Sequence, residues 1–352
     1  MSADALEGGA IAEVDRSSQL ADVTGLPEQL RDALWRVESA GIAGVDAPGG
    51  LIVAGMGGSA VGGLLARAAL GDRASRPIVV ARGYELPPWA TPDTMVLCCS
   101  YSGDTEETLA CYEAASALGA PRVVATIGGR LAQAARADGI PVIPFPAGFQ
   151  PRAAVAYTTV AALEVAAACG AAQSVRAEVD VAADHAERLV EEWGPGGGQD
   201  SLAKELARRL HGTVAQVAGA GPTAAVAYRW KTQINENAKL PAFWHELPEL
   251  DHNEVVGWGS AEELGRFSAV FLSDCDQHPR TRQRIELTRL LVEPHAAAAF
   301  TVESRGQTPT ERVLSLVLLG DLVSVYLAVL RGVDPTPVEV IERLKADLAE
   351  VS

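Results

Sequence analysis

Two stretches of the 352-residue sequence concentrate groups able to move protons. They are Arg229-Trp-Lys-Thr-Gln-Ile-Asn-Glu-Asn-Ala-Lys239 and Pro248-Glu-Leu-Asp-His-Asn-Glu254. A carboxylate such as Glu236 can take a proton from one carbon and return it to its neighbour. A cation such as Arg152 can stabilise the oxyanion that develops on the way. A histidine or a lysine, here His252 or Lys345, can carry protons to and from a ring oxygen. Each residue also has a plainer reading. A glutamate in a helix is mostly solvated or salt-bridged, and a lone histidine, such as His185 or His278, is mostly structural or exposed. Asn235 and Asn237 flank Glu236 and are poor helix formers, so this turn serves some local purpose. Pro248 and the polar run after it read as a loop, where function concentrates.

Two further segments suit an anion. Gly55-Met-Gly-Gly-Ser-Ala-Val-Gly-Gly63 follows an apolar run and opens a helix, so its backbone N–H groups and the helix dipole can meet negative charge. The spacing is not the dinucleotide G-x-G-x-x-G, and the next strand ends at Ala81-Arg-Gly83 without an acidic residue, which disfavours a nicotinamide cofactor. Glycines there could also make only a tight turn. Ser100-Tyr-Ser-Gly-Asp-Thr-Glu-Glu-Thr108 again lies between strand and helix and offers Ser100, Ser102 and Thr105 hydroxyls, although Thr105 could simply cap a helix. Two neutral hydroxyl-and-amide loops at the carboxyl ends of nearby strands suit a phosphate monoester held without a lysine clamp.

The elements that must position these groups alternate. Residues 51–56, 77–81, 94–99, 122–127 and 141–145 read as buried strands, with helices over 60–70 and 105–118. A helix is predicted from Asp22 to Ala40, with Pro27 in a first turn. Helical pattern runs over 153–169 and 175–193 until Gly194-Pro-Gly-Gly-Gly198 breaks it. The alternation then restarts with a helix to Leu210, strands over 213–218, 268–272 and 297–302, and long helices from Ala224 and over 311–330. Apolar strands alternating with helices indicate parallel sheets covered on both faces. The boundaries expected are a first domain over 1–170, a helical connection and linker over 171–198, and a second domain over 199–352, each domain with a core of its own.

The pair GMGGSAVGG and SYSGDTEET resembles the phosphate-binding signature of the sugar-isomerase (SIS) fold. By that resemblance Ser59, Ser100, Ser102 and Thr105 would hold a phosphate with help from the Gly58 amide. The fold implied is α/β: two SIS domains, each a parallel sheet flanked by helices on both faces in a Rossmann-like three-layer sandwich. RWKTQINENAK, PELDHNE, Gln150–Tyr157 and Tyr326–Lys345 together resemble the bifunctional phosphoglucose/phosphomannose isomerases over nearly the whole chain. The resemblance implies interconversion of glucose 6-phosphate and mannose 6-phosphate with fructose 6-phosphate through a cis-enediol. It would make Glu236 the base, set Arg152 against the enediolate, and give His252 and Lys345 parts in ring opening. It also implies a homodimer in which the histidine reaches the neighbouring active site, and a C-terminal helix packed over the site with Thr336 nearby. Gly219-Ala-Gly-Pro222 stands where a second phosphate loop could have been, but it lacks a serine-rich partner, so one phosphate site per chain is expected.

Composition narrows the alternatives. A net charge of −16 argues against nucleic acid, which is bound by surplus Lys and Arg. No stretch reaches the roughly 18–20 uninterrupted apolar residues of a membrane span, and no secretory signal is visible. Five cysteines without a CxxC pair suit a reducing cytoplasm, and six histidines without ligand spacing disfavour a metal-dependent isomerase. No metal and no cofactor are expected. The rival is a non-catalytic SIS module that senses a sugar phosphate. Such a module would keep Ser59, Ser100, Ser102 and Thr105 but would not need Glu236, His252 and Arg152 together.

Overall fold

The computed structural model describes residues 6–350, so the ends assigned to the two domains, 1–5 and 351–352, lie outside the described residues. Three helices lead in: α1 (Gly8–Val14), α2 (Gln19–Thr24) and α3 (Leu26–Ser39). The single helix expected from Asp22 is instead broken at Gly25, and Pro27 lies in the first turn of α3, where its fixed φ and missing N–H cost nothing.

The first sheet follows, through β1 (Leu51–Ala54), α4 (Gly57–Leu70), β2 (Ile78–Ala81), β3 (Met95–Cys99), α5 (Glu106–Leu118), β4 (Arg122–Thr126), α6 (Gly129–Ala137) and β5 (Val142–Pro144). Its order is β2-β1-β3-β4-β5, all parallel. β1 and β3 are buried at every position, as a sheet covered on both faces requires. The strand order reverses between β1 and β3, and the crevice outside their carboxyl ends is where open α/β sheets bind ligands. The glycine turn and the serine loop leave from those two ends.

Helices α7 (Val155–Ala168), α8 (Arg176–Trp193) and α9 (Leu202–Leu210) connect to the second half. There β6 (Val214–Gly219), α10 (Pro222–Asn237), β7 (Ala242–Glu246), α11 (Ala261–Leu264), β8 (Phe267–Ser273), α12 (Pro279–Val292) and β9 (Ala298–Glu303) build a sheet ordered β7-β6-β8-β9, again parallel. The long helix α13 (Pro309–Arg331) and the terminal α14 (Glu339–Ala349) complete the chain.

The inner faces of both sheets share one core. Leu51 and Val53 of the first sheet, Val217 and Val270 of the second, and Leu318, Leu322 and Val325 of α13 belong to a single apolar cluster. A core private to each half exists only on the outer faces, under α5 and α6 in one case and α12 in the other. The reason is α13, whose most apolar window has a mean hydropathy of 2.4 and is 94% buried. Its length and composition would suit a bilayer, but the two halves of the protein enclose it instead. Close helix approach relies on glycine: a Cβ on Gly320 would lie 2.2 Å from Trp230 Nε1, which donates to the Leu316 carbonyl at 2.8 Å. On the same seam Arg229 Nη2 pairs with Asp321 Oδ2 at 2.6 Å, both buried.

Candidate active site

Gly58 and Ser59 sit in the first turn of α4, where Gly57 takes φ +52°. Gly58 has no room for a side chain. A Cβ there would stand 2.7 Å from the Pro151 carbonyl oxygen and 3.2 Å from Arg152 Cα. The glycine turn therefore touches the Arg152 segment backbone to backbone. Ser59 is buried beside it. Across the switch point, buried Ser100 accepts from the Gly103 N–H at 3.0 Å, and its hydroxyl shares a 2.8 Å hydrogen bond with Thr105 Oγ1. Ser102 is exposed and accepts from the Asp104 N–H at 3.3 Å, while Thr105 stands at the N-cap of α5. The structure thus gathers the hydroxyl loop and the glycine turn at adjacent strand ends.

Tyr101, inside the serine loop, went unremarked in the sequence. Its hydroxyl donates to the Pro146 carbonyl and accepts from the Phe149 N–H, both at 2.9 Å. Those bonds tie the hydroxyl loop to the chain that leads into Arg152, whose side chain is 4% exposed. Arg152 Nε donates to Asn237 Oδ1 at 2.6 Å, and Nη2 donates to the Pro335 and Thr336 carbonyls at 2.8 Å each. Nη1 stands 3.5 Å from Glu236 Oε2. Burial draws the guanidinium pKa down while Glu236 opposes the shift. Asn237 is held in turn by donating to Ser324 Oγ at 2.9 Å, and Asn235 donates to the Leu240 carbonyl at 2.8 Å. The poor helix formers on either side of Glu236 serve to close the end of α10 and to aim Arg152.

Glu236, the penultimate residue of α10, keeps a 29% exposed side chain. It borders a groove of about 590 Å³ shared with Lys239, Leu240 and the start of α14. His252 is not brought to it, and Lys345 lies on α14, whose first turn lines the groove. His252 is exposed in the 3-10 turn Glu249–His252, beyond the carboxyl end of β7. The Leu247 N–H anchors that end to Gly219, next to the N-terminus of α10, at 2.9 Å. Glu236 is about 20 Å away along α10, at 1.5 Å of rise per residue. Lys345 is exposed on α14, and among the described residues no hydrogen bond or ion pair joins it to Glu236 or Arg152.

A larger cleft, about 990 Å³, lies elsewhere, between the carboxyl end of the second sheet and the end of α4. It lies at the carboxyl ends of the second sheet, as the first site does at those of the first, and its Arg312 is paired with carboxylates beside it. Asp274 Oδ2 accepts from Arg312 Nε at 3.0 Å and from Ser304 Oγ at 2.7 Å, and Asp276 pairs with the same arginine. That pairing also occupies the carboxylates that, with Cys275, come close enough to face a metal ion. Arg67 and Arg82 line this cleft as well, whereas the smaller groove is bordered by Glu236, the carboxylate that Arg152 reaches.

A family profile described as the bacterial phospho-glucose isomerase C-terminal SIS domain matches residues 199–348. A bifunctional phosphoglucose/phosphomannose isomerase of Caldicellulosiruptor bescii is 38% identical over 94% of this chain and 98% of its own length. The chain belongs to that family. A second member, from Aquifex aeolicus, is 36% identical over 85% of this chain and 90% of its own. A crystal structure of a hypothetical protein from Thermus thermophilus superposes with a TM-score of 0.73 at 17% identity, covering 99% of this chain and 94% of the other. At that identity it speaks for the fold alone. The family is one of isomerases built on two SIS domains, as the two parallel sheets of this chain lead one to expect.

Proposed function

We propose that the protein interconverts glucose 6-phosphate and mannose 6-phosphate with fructose 6-phosphate through a cis-enediol, without a metal ion. The observation that carries this reading is an unbroken chain of contact: the Gly58 turn abuts Arg152, and Arg152 reaches Glu236. The phosphoryl group is held by the Gly58 amide and the Ser59, Ser100, Ser102 and Thr105 hydroxyls. Glu236 takes the C2 proton and returns it to C1, while O2 loses its proton and O1 gains one as the carbonyl moves between them. The negative charge that builds on the enediol oxygens faces the Arg152 guanidinium, which supplies the cation a metal would otherwise provide. Glucose and mannose phosphates differ only at C2, and the planar enediol erases that difference.

The same reading gives His252 and Lys345 to ring opening. His252 lies too far from Glu236 to serve its own chain, so a homodimer is proposed in which each His252 enters the partner's site. Its exposure beyond the carboxyl end of β7 suits that arrangement. Five free thiols suit a cytoplasmic enzyme. The purified protein, given fructose 6-phosphate with excess EDTA, is expected to yield both aldose phosphates, and Glu236→Gln is expected to abolish both products with an unchanged circular dichroism spectrum. Wild-type turnover in that variant removes Glu236 from the mechanism, and loss of wild-type activity on chelation refutes metal independence.

A further inference from the structure

Lys239 follows the C-cap of α10 and adopts φ +53°, in the left-handed region where glycine is the ordinary occupant. A side chain there raises the energy of the backbone by about 1 kcal/mol, so an outlier of this kind next to a reacting carboxylate calls for a reason. The reason is visible in its contacts. Although Lys239 is exposed as a residue, its ammonium turns back onto protein: Nζ donates to the Glu236 carbonyl at 2.6 Å, to the Pro335 carbonyl at 2.8 Å and to the Asn237 carbonyl at 3.4 Å. The Pro335 carbonyl is also an acceptor for Arg152. One lysine thus bonds the backbone of Glu236 and, through a shared carbonyl, the segment on which Arg152 rests.

We propose that Lys239 is a positioning residue for the isomerisation, its ammonium setting the separation and orientation of Glu236 and Arg152 and adding positive charge beside the enediolate. This rests on the function proposed above. It also assigns an ammonium group within the groove, whereas Lys345 is exposed on α14. Burial, and after it Arg152, lower the Lys239 pKa to about 8, while Asp334 and Glu236 oppose the shift. Glu339 lines the same groove, and Arg331 donates to the Lys239 carbonyl at 3.0 Å. The ammonium form, and with it the positioning charge, is present below about pH 8 and is lost as the pH rises through that value. The folded-state pKa lies below the ordinary 10.5 of an unfolded lysine, so the folded state binds fewer protons between about 8 and 10.5. Lys239 therefore contributes a rise in folding stability over that interval. Activity and stability move in opposite directions, which a merely structural lysine would not produce.

The test is Lys239→Gly, which relieves the backbone and removes only the side chain, alongside Lys239→Arg. With fructose 6-phosphate as substrate, kcat of the glycine variant is expected to fall about a hundredfold, the scale of a misplaced catalytic group, with a much smaller change in KM. The alkaline limb of the wild-type kcat profile near pH 8 is expected to vanish in that variant and to move upward in the arginine variant. Wild-type kcat with the alkaline limb intact in Lys239→Gly overturns the proposal while leaving the isomerase reading standing. A wild-type protein that converts no hexose phosphate refutes the reading itself.

Discussion

The site pairs one buried cation, fully committed to protein acceptors, with one carboxylate left partly free. Arg152 spends Nε on Asn237 and Nη2 on two carbonyls, so its position is set before any substrate arrives. In the proposed reaction, preorganised charge of that kind would need no rearrangement as an enediolate formed. Ser100 and Thr105 are arranged differently: each hydroxyl has the other as partner and can turn toward a phosphate that stays bound through the reaction. Ser100→Ala with Thr105→Ala is therefore expected to raise KM more than it lowers kcat, as steady-state kinetics will show. An unchanged KM would remove those hydroxyls from phosphate binding. The types Glu, Arg and Ser were legible because their chemistry is local to a motif. Tyr101 and Lys239 were not: a tyrosine in a serine loop and a lysine after a helix look ordinary until the fold shows what their polar ends reach.

Among elements, the alternation of apolar runs exposed most strands but not β7. Its Ala-Phe-Trp-His-Glu lies at a sheet edge with mixed exposure and lacks the buried run that marked the inner strands. α12 escaped for a related reason, because three buried positions in an arginine-rich helix leave little amphipathic signal. The turn at Gly25, which splits the expected leading helix, is a lone glycine whose meaning depends on context. Two element-level outcomes follow from the packing. Tyr101→Phe removes both bonds that tie the serine loop to the Arg152 segment, so kcat is expected to fall and amide exchange at 146–152 to quicken. Gly320→Ala drives a methyl group into the Trp230 ring and is expected to lower unfolding free energy by about 1–3 kcal/mol in a denaturant titration, the range for overpacked cores.

At the scale of the whole molecule, the relation of the two halves could not be read from periodicity. Each half shows its own alternation, so two private cores were the natural expectation, yet α13 joins them into one. The exposed loop bearing His252 would gain a role in the proposed homodimer. If each site draws His252 from the partner subunit, equal mixtures of Glu236→Gln and His252→Ala protein, unfolded and refolded together, are expected to regain about a quarter of the wild-type activity, one intact site in half of the dimers. Recovery of none would indicate that each chain relies on its own histidine, and about half of the wild-type activity that it relies on none.

The placement of α13 also bears on how the protein is born. A ribosome delivers the chain from its amino end, so this apolar rod leaves the exit tunnel after the strands of both sheets. The helices it packs against, α8, α9 and α10, are thus uncovered on that side until it arrives. The core shared by the two halves is therefore completed only once α13 has emerged.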